Sequence, residues 1–193
     1  MLLFDSTEFE CDALLPLRYS ECSARLAEHM LRLYPGEKTF CIFGFQKNDS
    51  IRAMEKGLDG AVEKQGYAAE KCLKYFNCRA SINIERAAKD ILTEVKSGGR
   101  PVIICYGAIF TESLLMLLLA QDKAILDKIH LAGFTEHQSF QRIGYDYPCI
   151  FRNDQECGVL LAQQILHKIE NGGNGTEPPQ ILYACSTEHL LED

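Results

Sequence analysis

The sequence predicts an α/β fold built on a doubly wound parallel sheet. Three observations carry that prediction. Runs of strand length such as TFCIFGF (Thr39–Phe45) and PVIICY (Pro101–Tyr106) are apolar almost throughout, as strands covered by helices on both faces are. The stretches between them repeat their apolar residues at helical spacing. Glycine or proline punctuates the joins, at Pro35-Gly36, Gly66 and Gly98-Gly99, where helices are expected to stop. Strands separated by helical periods lead to right-handed crossovers and parallel neighbours.

Taken in order, LLFD (Leu2 to Asp5) has the look of a strand. Tyr19 to Tyr34 is an amphipathic helix carrying Cys22, Leu26, Met30 and Leu33 on one face, and it ends at Pro35-Gly36. Thr39–Phe45 is the first buried strand. Asn48 to Ser50 offers helix caps, and a helix runs from Ile51 to Gln65. Lys71 to Phe76 is a short strand, and Ser81 to Lys96 a helix with Ile84, Ala88, Ile91, Leu92 and Val95 inward. Pro101–Tyr106 is a strand, Phe110 to Gln121 an apolar helix, and Lys128 to Phe134 the fourth strand of the series. Tyr147 to Arg152 is a strand and Asp154 to Ile169 a helix. NGGNGTEPP (Asn171 to Pro179) reads as a linker, and QILYAC (Gln180 to Cys185) as one more strand.

A chain of 193 residues suits one domain or two small lobes. Its hydrophobic fraction of 47 % and charged fraction of 24 % are those of an ordinary globular protein. The net charge of −7 argues against this segment gripping a phosphate backbone itself. No window reaches the roughly 18 consecutive apolar residues of a membrane span, and the acidic start MLLFDSTEFECD is not a secretory signal. Nine cysteines without a CxxC pair read as reduced cytoplasmic thiols used as small core residues, not as a metal site.

In open parallel sheets, ligands bind beyond the carboxyl ends of strands. Four such ends are legible: Phe45 to Ser50, Asn77 to Ser81, Gly107 to Thr111, and Thr135 to Gln138. Enzyme signatures are missing. There is no GxGxxG after a strand, no GxxxxGK[ST] and no GxSxG. His137 has no serine or cysteine placed to be activated by it. No catalytic residue, metal or cofactor is expected. Glu55, Lys56, Asp59, Glu63 and Lys64 fall at helical spacings and read as a solvated helix face.

The ordered set of motifs resembles the effector-binding core of the lactose-repressor/galactose-repressor (LacI/GalR) family of transcription regulators. SARLAEHMLRLYPGEKTFCIFG looks like that family's helix and following strand. DSIRAMEKGLDGAVEKQGY looks like its R-x-x-G-F helix, with Gly57-Leu58 at the Gly-Phe place. RPVIICYGA, LAGFTEH and FRNDQECGVLLAQQIL, with Gly158 on the glycine, follow in family order. The resemblance implies a periplasmic-binding-protein-like fold with a complete C-terminal lobe and a partial N-terminal one. Residues 1–17 would be a remnant of the N-terminal lobe, and 18–146 the C-terminal effector-binding lobe. Residues 147–170 would be the crossover strand and helix of the N-terminal lobe, 171–179 a linker, and 180–193 the return strand and tail.

The same resemblance implies a cytoplasmic regulator whose ligand is a sugar or related metabolite, and which meets DNA only through a head that this chain lacks. Effector contacts are expected at Asn48, Ser50, Arg52, Met54, Ala108, Thr135, Glu136 and Asn153. Several of these depart from the family. Met54 stands at the effector arginine, Ala108-Ile109 at the Asn-Asp pair, Thr135 at the first aspartate after Gly-Phe, and Asn153 at the crossover glutamine. Losing charged forks removes paired hydrogen bonds to sugar hydroxyls, so the pocket is expected to prefer a less polar or differently shaped ligand, or to bind none. A homodimer is expected through the helix FTESLLMLLLAQ, whose Leu115, Met116 and Leu119 fall off the core stripe of Phe110, Leu114, Leu117 and Leu118. Two other readings remain: the solute-binding protein of a sugar transporter, and a small doubly wound enzyme.

Overall fold

A computed structural model describes residues 2–4, 13–15, 18–46, 48–135, 147–152, 154–170 and 185–186. In chain order the elements are β1 (Leu2–Phe4), β2 (Ala13–Leu15), α1 (Tyr19–Leu33), β3 (Thr39–Phe43), α2 (Asp49–Lys64), β4 (Cys72–Tyr75), α3 (Ser81–Lys96), β5 (Val102–Tyr106), α4 (Ala108–Gln121), β6 (His130–Thr135), β7 (Cys149–Arg152), α5 (Asp154–Glu170) and β8 (Cys185–Ser186). Short 3-10 turns at Ala69–Lys71 and Ile125–Lys128 precede β4 and β6. The expected linker at Asn171 to Pro179 and most of the expected strand at Gln180 to Cys185 lie outside the described residues.

The described residues fall into two compact units, one holding the chain up to Arg18 with Arg152–Ser186, the other Tyr19–Phe151. In the smaller unit β1 pairs with β2 in parallel, Leu3 beside Leu14, and α5 packs against β2. β2 was not foreseen, because its three apolar residues give no period to count. On α5, Val159, Ile165, Leu166 and Ile169 are exposed.

The larger unit is a parallel sheet in the order β4-β3-β5-β6-β7, every neighbouring pair parallel. This is the doubly wound arrangement that the alternation predicts. The boundary between units falls inside β7, a few residues beyond Asp146, because Cys149 and Ile150 are buried and pair with Gly133 and Phe134 of β6.

Alternate strand residues feed two cores, since successive side chains point to opposite faces. Phe40 and Ile42 of β3, Ile103 and Cys105 of β5 and Leu131 of β6 form one buried cluster with Ile84, Ala88 and Ile91 of α3 and Leu114, Leu115 and Leu118 of α4. Each large apolar side chain removed from water there contributes about 1.5–3 kcal/mol. The opposite face lies under α1 and α2, which cross closely at Gly57. A Cβ at that position would collide with the Ser20 carbonyl oxygen, so only glycine allows the approach.

Three details correct the sequence reading. Leu33, placed on the core stripe of α1, is 44 % exposed at the end of the helix. The acidic face of α2 is not simply solvated, because Lys74 of β4 reaches Glu55 at 3.2 Å and Asp59 at 2.5 Å. Leu115, placed on a second face of α4, is 3 % exposed and belongs to the cluster described above. Leu117 and Leu119 also pack against that cluster, leaving Ile109 and Met116, each 71 % exposed, as the outward apolar residues of α4.

Candidate functional site

Strand order decides where a ligand can sit. From β3 the chain passes through α2 to β4 on one side; from β5 it passes through α4 to β6 on the other. The carboxyl ends of β3 and β5 therefore flank the switch point, the place where ligands bind in open parallel sheets.

Beneath α1 and α2, a row of buried rings lies in register on one sheet face. Phe43 of β3 is paired with Tyr106 of β5, and Tyr106 with Phe134 of β6. Ring centroids lie 4.9 Å apart for Phe76–Phe43, 4.4 Å for Phe43–Tyr106 and 5.2 Å for Tyr106–Phe134, distances that favour aromatic pairs. One polar link runs through the row. The buried Ser23 hydroxyl donates to the Met54 carbonyl at 2.7 Å and meets the Tyr106 hydroxyl at 2.8 Å. It thereby ties α1, the first turns of α2 and β5 together. Burial holds the Tyr106 phenol well above its ordinary range, so it stays a neutral structural group.

The walls are set by Phe110 near the start of α4. Its ring lies where a Cβ on Gly44, after β3, or on Gly107, after β5, would strike it. Gly107 has φ 135°, a backbone that side chains rarely tolerate. Phe45 meets Phe110 edge-on at 5.6 Å and is 48 % exposed. On the other flank, the amides of Asn77, Cys78 and Arg79 donate to the carbonyls of Phe45, Phe43 and Gly44 at 3.0, 3.1 and 2.9 Å. Asn77 makes the turn with φ 54°, a conformation asparagine accepts more readily than most residues.

Six of the eight expected contact residues fall among the described residues, at or just beyond three strand ends that the strand order makes adjacent. Asn48 caps α2, its Oδ1 accepting from the Ile51 amide at 2.9 Å. Ser50 is half-buried in the first turn. Arg52 is exposed and pairs with Asp49 at 3.1 Å, a weak surface pair. Met54 is 8 % exposed, so it offers the rim little surface. Ala108 opens α4, and the backbone of Thr135 ends β6. Glu136 and Asn153 lie outside the described residues, as does His137. The sequence reading passed over Phe45 and Ile109 as contact candidates. Their signal is an apolar residue two or three places past a strand end, where burial by the sheet has stopped. Among the described residues, no group of His, Cys, Asp or Glu is placed to hold a metal ion, and no helix is long and apolar enough to cross a membrane.

The fold has solved counterparts. No protein-family model and no curated protein matches the chain. Among solved structures it is similar to a LacI-family transcriptional regulator from Enterococcus faecium with bound ribose, with TM-score 0.78 and 13 % identity, over 96 % of this chain and 67 % of that one. It is also similar to the Cra transcriptional dual regulator from Pseudomonas putida in complex with fructose 1-phosphate, with TM-score 0.69 and 13 % identity, over 96 % and 67 %. A Caulobacter myo-inositol binding protein bound to myo-inositol gives TM-score 0.67 and 13 % identity, over 97 % and 65 %. The chain thus has the periplasmic-binding-protein-like fold and spans about two thirds of the length of these proteins.

Proposed function

We propose that this chain is the effector-sensing and dimerising portion of a LacI/GalR-type transcription regulator that works in the cytoplasm and reads DNA through a head outside this sequence. The observation that carries the reading is the switch-point rim between β3 and β5, on a fold shared with regulators that bind sugars and sugar phosphates. The smaller unit is then part of the first lobe, in keeping with the exposed apolar residues of α5. A small-molecule effector rests against Asn48, Ser50, Ala108, Thr135 and Glu136, with Met54 beneath. No enzymatic step is assigned, since the described rim supplies contact surface and hydrogen-bonding groups.

The ligand class follows from the rim. Phe45 and Ile109 present apolar surface at the switch point, and Met54 and Ala108 replace polar family residues. A sugar bearing an apolar substituent, or a deoxygenated relative, therefore suits the site better than a free hexose, whose hydroxyls would lose water without gaining partners. Calorimetry with ribose, glucose, myo-inositol and fructose 1-phosphate should show weak or no binding, and an aryl or alkyl glycoside should bind measurably tighter. Micromolar binding of an unmodified hexose, abolished by Glu136→Ala, would overturn the specificity while supporting the location.

The dimer uses the outward face of α4, where Ile109 and Met116 stand two helical turns apart. Light scattering at micromolar protein should report about twice the 21.8 kDa chain mass. Met116→Glu should shift it toward monomer while the core stays intact, and a monomeric unmutated chain rejects the interface. A second reading, the solute-binding protein of a sugar transporter, is favoured by the likeness to the myo-inositol binding protein. A helix-turn-helix encoded ahead of Met1 selects the first reading and an export signal the second.

A further inference from the structure

We propose that Cys41 and Cys72 form a redox-responsive dithiol, closing to a disulfide between β3 and β4 when the protein meets a hydroperoxide. The two sulfurs stand 3.7 Å apart, both as free thiols. The strand register makes them diagonal neighbours on one sheet face, with Cys72 opposite Thr39 and Lys74 opposite Cys41. Nothing in the proposed ligand site uses them.

Their surroundings divide the labour. Cys41 is fully buried on an interior strand, whereas Cys72 is half-buried on β4, which among the described residues ends the sheet and pairs with β3 alone. The hydrogen bond from Cys41 holds the Cys72 thiol below its ordinary range, and the positive charge of Lys74 acts in the same direction. That same hydrogen bond, with burial, holds the Cys41 thiol well above its own. Lys74 is fixed in place by Glu55 and Asp59. By contrast, burial pushes Cys78 up to about 11 and Cys105 up to about 12, which leaves them poor nucleophiles. Cys72 is therefore the attacking sulfur and Cys41 the resolving one.

The chemistry balances with the peroxide as oxidant. The Cys72 thiolate attacks one peroxide oxygen, the O–O bond breaks, and the leaving alkoxide or hydroxide takes a proton and departs as an alcohol or water. Cys72 is left as a sulfenic acid. Cys41, giving up its proton, then attacks the Cys72 sulfur; the S–O bond breaks, hydroxide leaves with that proton as water, and the S–S bond forms. Two thiols lose two electrons and the peroxide gains them. The sulfurs must close from 3.7 Å to about 2.05 Å, a movement open to a strand that, among the described residues, is paired along one edge.

The test uses the reduced whole chain treated with one equivalent of hydrogen peroxide, then alkylated, digested and mapped by mass spectrometry. The expected product is a Cys41–Cys72 linked peptide pair that dithiothreitol separates. Cys41→Ala should stop the linkage and leave a Cys72 sulfenic acid that dimedone captures, while Cys72→Ser should leave Cys41 unmodified. The proposal is overturned if Cys72 reacts no faster than Cys78 or Cys105, or if its disulfide joins any cysteine other than Cys41. The unmutated chain alone decides both points, so the result stands even where a variant fails to fold.

Discussion

Replacing Phe110 by alanine is expected to lower the stability of the larger unit by about 3 kcal/mol, the low end for truncating a buried phenylalanine. The low end applies because a little of the ring remains exposed. The loss has two parts. Apolar ring surface is no longer buried, and a void opens where the ring fills the space beside Gly44 and Gly107. Neither glycine has a side chain to collapse into that void. The loops after β3 and β5 lose the body that fixes them, so affinity for the proposed effector should fall along with stability. Urea unfolding should show a lower midpoint with little change in slope, and the melting temperature should drop by roughly 6–12 °C for a chain of this size. Phe110→Leu, which keeps most of the volume, should cost less than about 1.5 kcal/mol. An alanine variant as stable as the unmutated chain would show that the ring wedges nothing.

The second large effect is expected at Gly57. Alanine normally improves a helix interior over glycine by about 1 kcal/mol. Here the added methyl would enter the backbone of α1, striking the Ser20 carbonyl oxygen and crowding the Ala24 amide. Backbone atoms cannot rotate aside as a side chain can, so α1 and α2 must separate. That separation would also stretch the Ser23 hydrogen bond to the Met54 carbonyl, 2.7 Å long in the intact protein. A net loss of about 2 kcal/mol is expected, within the range for overpacking. Gly60, one turn further along α2, is exposed with nothing near its missing Cβ. Gly60→Ala should stabilise the protein by about 0.5–1 kcal/mol. The opposite signs, read side by side in thermal melts, separate close approach from helix propensity. Two stabilising variants would remove the case for a tight crossing.

Much of the fold was legible before the structure because it rests on local signals. The runs around Cys41 and Ile104 lack alternation, which only two-sided burial explains, and both lie in strands covered on each face. Asn48 was readable as a cap from its type and place, and it caps α2. The candidate site was legible in outline only, as loops after strands. Arg52 and Met54 share one helix with Asn48 and Ser50, yet one is solvated and the other almost covered, a difference that helical spacing does not reveal. The helix FTESLLMLLLAQ was legible only in part. Its composition asked for two partners, and its own domain largely supplies both: Leu115 enters the same core as Leu114 and Leu118, and Leu119 rests against it.

Local patterns along the chain specify the α/β class, the parallel sheet and the places where the chain leaves each strand. These follow from period, from uninterrupted apolar runs and from glycine and proline at fixed points, all of which act within a few residues. The strand order, and with it the switch point between β3 and β5, emerges from the folded chain. Folding alone packs Phe45, Phe110, Gly44 and Gly107 together and sets the Cys41 and Cys72 sulfurs 3.7 Å apart. The physical reason is the same in each case. Contacts between residues distant in sequence depend on which strands pair and in what register, and no local pattern encodes the partner.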